Sequence, residues 1–132
     1  MNTRALTRPA APRKLRVTLT AEHAAAAARN EVRAAIRAWD VPVDPSVAVL
    51  LTGELVANAL RHGPGRAIEL VVSCALGQLQ VDVYDTSPAT ALQVEATAGT
   101  ATGAGLMLAS LSSSWGYCRA PTGRSGYFTL MF

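Results

Sequence analysis

The sequence predicts an α/β (α+β) two-layer sandwich, with a mixed, mostly antiparallel sheet covered on one face by helices. Apolar residues recur at helical spacing in two early stretches and alternate strictly in most later ones, and 132 residues fit one core. Half the residues are apolar and 16% are charged, a globular balance far from that of disordered chains.

The elements follow in order. Leu15, Val17 and Leu19 alternate with Arg16 and Thr18, as in a short strand with one buried face. Thr20 suits a helix N-cap, and Ala25, Ala28, Val32, Ile36 and Trp39 repeat at helical spacing up to Trp39. Arg29, Arg33 and Arg37 fall four residues apart on another side, most simply a solvated one. Asp40-Val41-Pro42 ends this helix. Asp44-Pro45 opens a second, which runs to His62 because Gly63-Pro64-Gly65 cannot continue it.

Two alternating strands come next. Ile68, Leu70, Val72 and Cys74 share one side of the first, Leu79, Val81, Val83 and Asp85 share one side of the second, and Gly77 turns between them. Residues 86–102 are Ala, Thr, Pro and Gly with little periodicity, a long irregular segment. A third helix begins near Gly103 or Gly105 and covers Leu106, Met107, Leu108 and Leu111. Trp115 to Arg119 and Tyr127 to Phe132 close the chain as a strand pair around Pro121-Thr122-Gly123-Arg124.

Charge is unevenly placed. Residues 1–16 hold Arg4, Arg8, Arg13, Lys14 and Arg16 and no acid, whereas the rest holds seven Arg and nine acids, about −2 formally. Residues 1–13 therefore read as a flexible basic tail and 14–132 as a single domain. The basicity belongs to the tail, so direct nucleic-acid binding is not expected. Nothing resembles a membrane span or a secretory signal, and a cytoplasmic location is expected. Cys74 and Cys118 lack the spacing of a metal site or a disulfide scaffold and read as structural.

Three polar features stand out. One helical side carries Glu54, Asn58 and His62, since four residues advance about 40° past a full turn. Val47, Leu50 and Leu51 lie within about 60° of Glu54, so the glutamate extends an apolar stripe toward a polar cavity; a half-exposed face with a salt bridge to Arg61 or Arg66 is the bland alternative. Asp85 falls on the core side of its strand, where either the amide of a following turn or a ligand's amino group would satisfy it. Gly99 to Gly105, before an apolar helix, could cradle a phosphate, although it lacks the Gly-Lys-Ser/Thr ending of a P-loop.

Taken in order, Glu54-Leu55-Val56-Ala57-Asn58-Ala59-Leu60-Arg61-His62, the hairpin ending Val83-Tyr84-Asp85-Thr86-Ser87-Pro88, and Gly103-Ala104-Gly105-Leu106-Met107-Leu108 resemble the ATPases of the gyrase, histidine-kinase and MutL superfamily. The chain is most similar to the compact anti-sigma-factor serine kinases of Gram-positive bacteria, from about Leu15 to Phe132. The resemblance implies a Bergerat-type ATP-binding fold with ATP and Mg2+ as ligands. It makes Asn58 the magnesium ligand, Glu54 the catalytic base and Asp85 the acceptor for the adenine amino group. Residues 86–105 would form the lid, with Gly103, Ala104, Gly105 and Leu106 at the phosphates. His62 would reach the phosphates or cap its helix.

It also implies phosphoryl transfer to a serine of an anti-sigma-factor antagonist, sequestration of a sigma factor, and a homodimer. The chain departs from the family pattern in three places. Ser87 stands where the family usually has the glycine of Asp-x-Gly, and Ala104 replaces a larger or charged lid residue. Ser125 and Gly126 compete for the place of a threonine beside adenine. Two further readings are a non-catalytic regulator on the same fold, and an enzyme without nucleotide that pairs Glu54 with His62. The last leaves Asp85 and the glycine-rich segment unexplained.

Overall fold

A computed structural model of the chain describes residues 11–62, 67–85, 108, 110–120 and 123–132, with only the backbone described at 21, 61, 62, 118–120, 123 and 124. Its elements are β1 (Arg13–Leu19), a 3-10 turn (Ala21–His23), α1 (Ala24–Ala38), α2 (Pro45–His62), β2 (Ile68–Ala75), β3 (Gln78–Asp85), β4 (Ser114–Ala120) and β5 (Gly123–Met131).

The N-cap expected at Thr20 is not formed. A 3-10 turn leads into α1, which begins after His23 without a side-chain cap. The helix ends where Asp40 takes a positive φ of 55°. There Asp40 N donates to Arg37 O and Val41 N to Ile36 O, the pair of bonds that closes a Schellman motif. α2 has the limits read from the sequence. Asp44 Oδ1 accepts from Ser46 N at 2.9 Å, its carbonyl accepts from Val47 N and Ala48 N, and Pro45 takes the first helical position, where no N–H is needed.

The five strands lie in the order β1-β2-β3-β5-β4. Every pairing among them is antiparallel, so the sheet is not the mixed one expected. The β2–β3 hairpin turns on Leu76 and Gly77, with φ of 50° and 75°. Two successive positive φ values match the right-handed twist of the strands, and glycine meets that demand more easily than Leu76, whose side chain is 85% exposed. β4 and β5 are longer than read, running up to Ala120 and back from Gly123. Of the third helix, Leu108, Ser110 and Leu111 are helical and Ser112 N donates to Leu108 O; its start lies outside the described residues.

Both helices cover one face of the sheet, α1 over β1 and β2, and α2 over β3 and β5. Alternation sends Leu70 and Val72, Leu79 and Val81, and Phe128 and Leu130 into this layer, where they meet Val32, Ile36, Leu51 and Leu55 in one apolar core. Hiding a side chain of this size contributes about 1.5–3 kcal/mol. Buried Thr52 satisfies its hydroxyl on Ala48 O at 2.8 Å within α2. On β5, a Cβ at Gly126 would stand 2.8 Å from the Tyr117 ring and 3.1 Å from Leu55 Cδ2, so only glycine lets sheet and helix approach this closely.

The opposite face carries no helix among the described residues. Gln78 Nε2 donates to Gln80 Oε1, and Gln80 Nε2 reaches both Asp82 oxygens at 3.1 and 3.2 Å. Arg16 pairs with Glu69 at 2.9 Å, and the hydroxyls of Ser114 and Thr129 meet at 2.7 Å. No helix among the described residues is long and apolar enough to cross a membrane.

Candidate functional site

α2 places Glu54 and Asn58 one turn apart, both half-buried. The buried arc of the helix runs through Leu51, Leu55, Ala48, Thr52 and Val56. Glu54 therefore borders the apolar stripe and does not continue it, since Leu50, on its other side, is 39% exposed. Asn58 lies closer to the core. Among the described residues neither side chain has a hydrogen-bond or ion-pair partner; the salt bridge of Glu54 to Arg61 or Arg66 falls on side chains outside the described residues. A carboxylate and an amide left free at the edge of a packed layer can accept a proton and offer oxygen to a cation.

Asp85 ends β3 on the helix-covered face, in line with Leu79, Val81 and Val83, and is only 5% exposed. Asp85 is not a residue without a partner, and a charge at that depth requires one. α2 packs on β3 and β5, so the helix carrying Glu54 and Asn58 lies over the strand that ends in Asp85.

Ser125 is not brought to that face. Its Cα partners are Tyr84 and Cys118, so alternation points its side chain to the opposite face from Asp85, while Gly126 lies on the covered face under Leu55. His62 closes α2, with its side chain outside the described residues. Ser87, Gly103, Ala104, Gly105 and Leu106 also lie outside them. Within the described residues no group of three or more His, Cys, Asp and Glu is gathered to hold a metal. Asn58 offers an amide oxygen that has no partner among the described residues, and magnesium, which keeps water and phosphate oxygens in its shell, needs few oxygens from a protein.

One feature was not read from the sequence. Between α1 and α2 runs a groove of about 500 Å³ lined by Arg29, Arg33, Ser46, Leu50, Gly53 and Glu54. Arg29 lies across Gly53, its Nη1 3.2 Å from where a Cβ would stand. Arg29 and Arg33 have no carboxylate within ion-pairing distance among the described residues; Arg33 reaches only the Asn30 side chain, at 3.4 Å. Gly53 inside a helix, where glycine costs about 1 kcal/mol against alanine, was the signal available.

Cys74 is a half-buried free thiol on the covered face, and burial raises its pKa against the pull of Arg13. A thiol shifted this way is protonated and unreactive, in keeping with a structural role. No protein-family model matches the chain, and no curated protein sequence matches it.

Proposed function

We propose that the chain is an ATP- and magnesium-binding serine/threonine protein kinase of the anti-sigma-factor type, with a Bergerat-type fold, acting in the cytoplasm. It phosphorylates an antagonist protein, sequesters a sigma factor and works as a homodimer. The observation that carries the reading is the pair of Glu54 and Asn58, without a partner among the described residues, on the helix lying over β3, whose covered face ends in buried Asp85.

In this reading Asp85 accepts from the adenine amino group, and Asn58 gives its amide oxygen to magnesium, which neutralises phosphate charge. Glu54 takes the proton of the acceptor serine as its oxygen attacks the γ-phosphorus; the bond to the bridging oxygen breaks and ADP leaves. Phosphoryl transfer of this kind relies on positioning and charge more than on covalent chemistry, which suits a site with so few polar groups.

Calorimetry tests the binding half. The wild type should bind MgATP, Asp85→Asn should lose at least about tenfold in affinity, and Asn58→Ala should bind ATP without a magnesium dependence. Absence of binding by the wild type at millimolar ATP sinks the proposal. The catalytic half is read from labelled γ-phosphate transfer to an antagonist protein, which Glu54→Gln should cut by at least about a hundredfold while ATP still binds. ATP binding without transfer by the wild type would leave the non-catalytic regulator, the reading that Ala104 and Ser87 favour.

A further inference from the structure

We propose that the groove between α1 and α2 docks an acidic segment of the protein partner, with a carboxylate held between Arg29 and Arg33 and a neighbouring apolar side chain against Leu50. The proposal rests on the reading of the chain as a regulator that engages a protein. It concerns a surface that needs no nucleotide.

Two guanidinium groups one helical turn apart face a groove whose carboxylate, Glu54, pairs with neither, and among the described residues no other acid pairs with them, so each could bind a carboxylate in two-pronged geometry. Leu50, 39% exposed at the same groove, supplies the apolar contact that a charged pair alone would lack. About 500 Å³ admits a few side chains, the scale of a peptide segment.

Charge excludes other occupants. The chain's own residues 1–16 carry five cations and no acid, so the two arginines repel them. The first amides of α2 are already bonded to Asp44, so the groove offers a phosphate no backbone cradle.

Gly53 keeps the groove open. A Cβ there would stand 3.2 Å from Arg29 Nη1, so the guanidinium would have to give by a few tenths of an ångström, and the residue that would add it, alanine, favours the helix. Gly53→Ala should therefore raise thermal stability while weakening partner binding, two effects that loss of folding could not produce together.

The test is fluorescence anisotropy with a labelled peptide rich in Asp and Leu, its counterpart with Asn for every Asp, and the full chain without nucleotide. The acidic peptide should bind and the amide peptide should not. Arg29→Gln and Arg33→Gln should each weaken binding about fivefold, Gly53→Ala about threefold, and Arg37→Gln, outside the groove, less than twofold. Equal binding of both peptides overturns the proposal. So does an Arg37→Gln effect as large as that of Arg33→Gln, which would mean attraction to net charge alone, or displacement of the peptide by millimolar inorganic phosphate, which would make the groove a phosphate site. Peptide binding is read without ATP, so its failure is separate from failure of the nucleotide reading.

Discussion

Asp82 and Asp85 stand three residues apart on β3 and face opposite sides of the sheet. Asp82 lies on the side that no helix covers among the described residues, half-buried, with Gln80 on both its oxygens and Lys14 near enough to attract it. Burial still pushes its carboxyl pKa up, and Gln80 and Lys14 only partly oppose this. Asp85 lies under the helices with 5% of its surface exposed. On the open side a charge can be half-solvated at a modest cost; on the covered side it needs a fixed partner. The contrast shows where polarity is tolerated and where it needs a reason.

If the covered face is the one that holds the fold together, the largest effect should come from its centre. Leu55→Ala, which removes a fully packed side chain above Gly126, should cost about 2–5 kcal/mol in urea unfolding. A cost below about 1 kcal/mol would mean that the layer is looser than its burial implies. The face that carries no helix among the described residues should respond less, even at buried Thr129. Thr129→Val keeps shape but removes the hydroxyl bonded to Ser114, and should cost about 0.5–1.5 kcal/mol. A loss as large as that of Leu55→Ala would erase the distinction between the faces.

The smallest effect should have the opposite sign. A raised carboxyl pKa means that the folded protein holds the Asp82 proton more tightly than the unfolded chain. Stability from this group is therefore present at low pH and falls as pH rises from about 4, the ordinary carboxylate value, through the raised one. Asp82→Asn should stabilise at pH 7 by less than about 0.5 kcal/mol, since the site is still partly solvated, and the gain should vanish below about pH 4. A gain that persisted in acid would show that the carboxylate charge is not its source.

Much of this architecture was legible in the sequence where local chemistry decides it. Asp44-Pro45 and the Gly-Pro pair after His62 set the limits of α2, and strict alternation set β2, β3 and the burial of Asp85. Features that depend on how elements meet were not legible. The fully antiparallel order comes from strand partners far apart in sequence. The side taken by Ser125 comes from the register of β5, in which Phe128 and Gly126 claim the covered face. Arg29, read as one of a solvated row, lies across Gly53 because the two helices pack together there.

β1 is one edge of the sheet, and an edge strand is a template onto which another chain can add. Arg13, Lys14 and Arg16 crowd four consecutive positions of that edge, all exposed. With Arg16 already paired to Glu69, two copies meeting there would bring Arg13 and Lys14 against their counterparts, which makes the strand its own guard against stacking into fibres. The guard is only electrostatic. At about 0.1 M salt charges are felt over roughly 10 Å and at 1 M over about 3 Å, so concentrated salt would remove the protection while leaving the backbone template intact.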